Sequence, residues 1–171
     1  MPAEDDGSGV APVGGEDPAA DGTLWMEAAM TAEDVVRTSL AAWNAGDRAG
    51  HRATLADDAV VKEHGTGREI VGGDEIAAAH FAWRDAFPGM RGDIENLVAH
   101  GDQVVYETTW TGTHAGPLTA PDGQTIPPTG RSVAMPACLV VRVADDRIVE
   151  QHHYFDMVTM LSQLGLMPGA D

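Results

Sequence analysis

Basic residues are scarce in this chain: ten Lys and Arg stand against 27 Asp and Glu, giving a formal net charge of −17. Binding to nucleic-acid phosphates takes clustered Lys and Arg, and these ten are scattered, so nucleic acid and anionic membrane are not expected as partners. Cysteine is nearly absent. Cys138 stands alone, cannot close an internal disulfide, and lies in a β-rich run, which reads as a buried thiol in a reducing compartment. No apolar run approaches the roughly 18 residues of a membrane helix, and the first residues lack a basic and an apolar signal segment, so a cytoplasmic protein is expected. The chain has no Gly-x-Ser-x-Gly, no phosphate-binding loop and no Gly-x-Gly-x-x-Gly opening a helix. It also has no His-x-His, His-x-x-x-His or Cys pair, so neither a metal nor an organic cofactor is expected.

What is present suits one globule. With 171 residues, 43% of them hydrophobic, the chain has enough apolar mass for a single core. Residues 1–29 are rich in Gly, Ala, Pro, Asp and Glu and have little to bury. They are expected to form a disordered acidic tail, with Met30 as an alternative start and residues 30–171 as the domain.

From Thr31, an N-cap followed by Glu33 and Asp34, the spacing of Val35, Val36, Leu40 and Trp43 predicts an amphipathic helix that Gly46 ends. A short helix over 48–56, a strand over 59–64 and a third helix over 74–86 follow, the last with Ile76, His80, Trp83 and Phe87 on one face. Runs 91–99, 103–113, 131–143 and 147–155 read as strands, with tight turns at Gly101-Asp102 and Asp145-Asp146. Helices followed by a meander of long antiparallel strands indicate an α+β fold. Alternation groups Val104, Tyr106, Thr108 and Trp110 on one inner face, and Val133, Met135, Ala137, Leu139, Val141 and Val143 on another. On the last strand Val149, Gln151, His153 and Phe155 oppose Ile148, Glu150, His152 and Tyr154, and the pattern does not choose between them. Asp156 stands where an N-cap belongs, and Gly165 with Pro168 supplies the stop of a last short helix.

The C-terminal stretch, with Arg147-Ile-Val-Glu150, the Asp156 junction and Gln163-Leu-Gly165, resembles the signature of the SnoaL-like polyketide cyclases, often called ester cyclases. The likeness continues upstream in Trp110-Thr-Gly-Thr-His-Ala-Gly116, Pro128-Thr-Gly-Arg131, Ala86-Phe-Pro-Gly89 and Gly101-Asp102, in order over about residues 30 to 168. The resemblance implies an NTF2-like cone, in which a curved mixed or antiparallel sheet wraps around the N-terminal helices and an internal apolar pocket. It also implies cofactor-independent chemistry on a polyketide-derived or other small apolar substrate, and a homodimer or higher homo-oligomer. Aldol ring closure is the most specific expectation. Epoxide hydrolysis, isomerisation, dehydration, hydroxylation and ligand binding without catalysis are the alternatives.

By the same resemblance, the family's catalytic Asp falls on His153, and its supporting Gln and His fall on Ala137 and Leu139. A histidine works as an acid or base near neutral pH, so His153 is expected to take an acidic C–H proton and to protonate the new alkoxide. A structural His on an inner strand face is the plain alternative. Asp156 is assigned a catalytic role beside its cap role. His64, His80, Tyr106, Trp110, His114, Met135, Leu139 and Gln151 are expected to contact substrate, each with an ordinary role in core, rim or loop as its alternative.

Overall fold

Thr31 opens the first helix with a reciprocal cap. Its hydroxyl accepts from the Asp34 backbone N–H, and the Asp34 carboxylate accepts from the Thr31 backbone N–H. In the computed structural model, which describes residues 30–119 and 123–167, α1 runs Ala32–Ala45 and ends at Gly46 in the left-handed region. The expected tail and Pro168 lie outside the described residues. After α1 come α2 (Arg48–Ala53), β1 (Leu55–Glu63), β2 (Arg68–Val71) and α3 (Gly73–Ala86). β3 (Ile94–His100), β4 (Gln103–Thr113), the short β5 (Leu118–Thr119) and β6 (Thr125–Ile126), β7 (Ser132–Ala144), β8 (Arg147–Phe155) and α4 (Met157–Leu164) follow.

The six long strands form one curved mixed sheet in the order β2-β1-β8-β7-β4-β3. All neighbours are antiparallel except β1 and β8, which run parallel. This pairing tucks α1, α2 and α3 onto the inner face. The expected meander holds through β3, β4, β7 and β8, which are antiparallel neighbours in that order, and the parallel β1–β8 pair makes the sheet mixed; the β2 strand was not foreseen. Asp145 and Asp146 both take positive φ at the β7–β8 hairpin, as a tight turn between twisted strands requires.

The alternation on β4 and β7 holds residue for residue: both named sets are buried. On β8 neither of the two sequence-derived sets survives intact, because Val149 is an extra residue. Val143 pairs with Ile148 and Arg142 with Glu150, leaving Val149 in a bulge. The bulge turns both Ile148 and Gln151 inward, together with His153 and Phe155. The core joins α1 (Val35, Val36, Leu40, Trp43), α3 (Ile76, Ala77, Phe81) and the inner sheet face into one cluster. No described helix is long and apolar enough to cross a membrane.

Candidate active site

Strand register writes a row of side chains across the inner face. Tyr106 faces Leu139, Leu139 faces His153, and His153 faces Glu63 across β4, β7, β8 and β1. The neighbouring row is Val104, Val141, Gln151 and Val61. Val36, Ser39, Leu40 and Trp43 of α1 and His80 and Trp83 of α3 close over these rows, leaving a mostly apolar cavity of about 70 Å³. Trp83 and Phe155, both half-buried, meet edge to face at 6.2 Å at its rim. Phe155 lies against Gly65, where a Cβ would come within 2.5 Å of the ring.

The indole Nε1 of Trp110 donates to His153 Nε2 at 3.1 Å. An indole N–H only donates, so Nε2 is bare and neutral His153 carries its proton on Nδ1. Burial pushes the His153 pKa down to about 4, with the nearby Glu63 charge opposing, so the ring is neutral at pH 7. Glu63 is only 2% exposed. Arg68 binds it with Nε at 3.0 Å and Nη2 at 3.1 Å, and the Thr66 hydroxyl donates at 2.9 Å. A carboxylate is tolerated there because its charge is paired and its oxygens are occupied.

Two further groups face the cavity with no partner from the described residues: the Tyr106 hydroxyl and the Gln151 amide. Burial pushes the Tyr106 pKa up, so the phenol stays protonated and can donate. Across the cavity, His80 Nδ1 lies 3.0 Å from His51 Nε2, and His51 Nδ1 lies 3.2 Å from the Ser39 carbonyl and 3.1 Å from its hydroxyl. Burial lowers the pKa of both histidines, that of His80 well below the usual value.

The fold thus brings His80, Tyr106, Trp110, Met135, Leu139, Gln151 and His153 to one cavity. It places three expected site residues elsewhere. His64 sits on the outer face, stacked on Tyr154 at 4.0 Å and 3.1 Å from His152 Nδ1. Strand pairing explains this: Glu63, one residue earlier, has the inward position. His114 is fully buried, stacked on Phe87, and accepts from the Thr129 backbone N–H, so it ties the Gly112–Gly116 loop to residues 129–131 and stands off the cavity. Asp156 is an exposed cap whose two oxygens accept from the Thr159 backbone N–H and hydroxyl.

Ser39, His51 and Glu63 line the cavity and were missed. Glu63 had a signal, because Ala59, Val61 and Glu63 share one face by period two. His51 had none, since α2 is too short for a periodic pattern. Among the described residues no three His, Cys, Asp or Glu gather as a metal site requires.

A curved mixed sheet that closes with its helices over an apolar cavity with a few inward polar groups defines an NTF2-like cone. Residues 33–164 match the family described as SnoaL-like polyketide cyclase, and the chain belongs to that family. Among solved structures it is similar to IdmH, a candidate polyketide cyclase of Streptomyces antibioticus, at 30% identity and a TM-score of 0.68, covering 80% of this chain and 99% of that one. It is similar as well to an LEH-like epoxide hydrolase of M. tuberculosis, at 26% identity and TM-score 0.60, over 78% and 88% of the two chains. AclR of Streptomyces galilaeus, a candidate hydroxylase, shares the fold at 24% identity and TM-score 0.67, over 80% and 86%. No curated protein matches the chain.

Proposed function

We propose that this protein is an enzyme that moves protons on a small, mostly apolar carbonyl compound of polyketide type, with aldol-type ring closure as its reaction. The observation that carries this reading is the bond from Trp110 to His153 Nε2. It leaves the residue at the position of the family's catalytic Asp with an N–H donor at Nδ1 and no basic lone pair. His153 is then suited to a role different from the one expected of it as a base. Its neutral imidazole donates to the substrate carbonyl oxygen, and the bond strengthens as that oxygen becomes an enolate and then an alkoxide. Tyr106 and Gln151, both without a partner among the described residues, are suited to share that charge. When the enolate carbon attacks the second carbonyl, the new C–C bond forms and the electron pair moves onto oxygen, which is then protonated. Leu139 and Met135 exclude water, so each donor is worth more than it would be in solution.

The cavity is smaller than an engineered cavity of about 150 Å³ that takes up benzene, so a ring substrate enters only when the rim at Trp83 and Phe155 gives way. The test is chromatographic turnover of a panel of polyketide-type β-dicarbonyl esters, from one ring to three, by wild type and His153→Ala. Ring closure in wild type with a loss of about 10²-fold or more in the variant is expected; equal turnover by both would refute the assignment.

A second reading rests on Glu63, a buried carboxylate facing His153 across the β1–β8 pair. Such a pair is suited to hold a water for epoxide opening. Epoxides in the same panel, hydrolysed by wild type and not by Glu63→Gln, would favour it over ring closure.

A further inference from the structure

Ring closure needs a group that removes the C–H proton, and the bond from Trp110 takes the only lone pair of His153. The opposite wall carries the alternative. The Ser39 carbonyl, 3.2 Å from His51 Nδ1, only accepts hydrogen bonds, and the Ser39 hydroxyl at 3.1 Å can accept as well. A proton on Nδ1 therefore satisfies both contacts, whereas a bare Nδ1 would face the lone pairs of the carbonyl. Neutral His51 then has a bare Nε2. Its 3.0 Å neighbour, His80 Nδ1, must be an N–H, because two bare nitrogens at that distance repel. Neutral His80 is left with its lone pair on Nε2, and that atom is buried with no hydrogen-bond partner among the described residues.

We propose that His80 Nε2 is the proton acceptor of the cavity and that His51 is the positioning residue that holds His80 in the required tautomer. The assignment rests on the proton-transfer reading of the cavity. In the step itself the C–H bond breaks, its electron pair moves onto the carbonyl as the enolate forms, and the proton goes to His80 Nε2. The imidazolium charge spreads through Nδ1–H to His51 and onto the Ser39 carbonyl. The same proton returns to the alkoxide after closure, so no oxidant, reductant or other co-reactant is consumed. Burial is the chief reason that His80 resists protonation, and the positive charge of Arg68, with those of His51 and His153 when they are protonated, adds to it. That surrounding keeps the acceptor neutral and ready in the resting protein. Trp43 Nε1 donates to the His80 carbonyl at 3.3 Å and thereby ties α3 to α1 at this residue.

The first test needs no substrate. Long-range ¹H–¹⁵N correlation spectra at pH 7 are expected to show His80 as the Nδ1–H tautomer with a bare Nε2 in wild type and in His51→Gln, whose side-chain oxygen can still accept. In His51→Leu the Nε2–H form should appear. A wild-type His80 that carries its proton on Nε2, or on both nitrogens, overturns the proposal.

The second test follows deuterium exchange of the α-proton of 2-acetylcyclohexanone in D₂O. Wild-type acceleration is expected, with a loss of about 10²-fold or more in His80→Gln, a smaller loss in His51→Leu, and His51→Gln near wild type. Exchange unchanged in His80→Gln, or no acceleration by wild type, overturns the base assignment. Exchange that depends on His80 without ring closure of any panel substrate supports the base assignment while refuting the aldol reading.

Discussion

His153 shows how one hydrogen bond settles what a residue type leaves open. Histidine serves as donor or acceptor equally well, so the residue type alone does not say which ring nitrogen carries the proton. The place of the proton follows from Trp110, whose N–H occupies Nε2 at 3.1 Å and leaves the ring proton on Nδ1. Trp110→Phe keeps the packing against Trp43, whose ring centroid lies 4.8 Å away, and removes only the donor. The variant should lose about 1 kcal/mol of stability and about 10-fold in turnover, as the freed imidazole divides its proton between two nitrogens. Denaturant unfolding and steady-state kinetics check the two halves separately. An unchanged rate would mean that the tautomer of His153 does not matter.

Elements explain why the family was legible and the chemistry was not. The segments that carry the resemblance mostly hold the fold. Gly116 lies so close to the α3 carboxyl end that a Cβ would overlap the Asp85 carbonyl oxygen, while the Ala115 and Gly116 N–H groups bind the Ala86 carbonyl. Gln163 donates to and accepts from the Ala134 backbone at 3.2 and 2.8 Å, continuing the β7 ladder beyond the end of β8. Arg131 packs over Gly165, the left-handed cap of α4, so its charge meets a helix C-terminus.

Gly116→Ala should therefore destabilise by about 3 kcal/mol or more, since backbone cannot yield as a side chain does. Gln163→Leu should cost about 1–2 kcal/mol, with kcat preserved in the folded protein. Thermal melts and kinetics at a temperature where both variants are folded test this; a specific loss of kcat in Gln163→Leu would place α4 in the chemistry. The cavity residues follow a different logic. His51 and His80 meet across 29 positions of chain, and Glu63 meets His153 only through the parallel β1–β8 pair. Pairing partners are tertiary facts, and the Val149 bulge, which gives Gln151 and Ile148 the same face, is another. Alternation on β4 and β7 was readable because both strands are regular and one-sided.

At the scale of the whole molecule, burying neutral histidines ties stability to pH. The folded pKa of His153 is about 4, and burial also lowers those of His51, His80 and His114. Unfolded histidine titrates near 6.5, so between about pH 6.5 and 4 the unfolded chain binds more protons than the native one. Stability is then fully present above that window and is lost as pH falls through it, by up to about 3 kcal/mol for His153 alone. His153→Gln should flatten this limb, which urea unfolding at several pH values will show. A wild-type stability that stays level from pH 7 to 4.5 would contradict the buried neutral state.

The same neutrality underlies the central claim that the cavity favours an oxygen anion through an uncharged donor. The ultraviolet spectrum of bound 4-nitrophenol, titrated in wild type and in His153→Phe, tests it most directly. The account predicts that wild type binds the phenolate and lowers the apparent pKa of the bound phenol, and that the variant loses most of that shift. A bound phenol that stays protonated in wild type, or one that ionises equally well without His153, would contradict it.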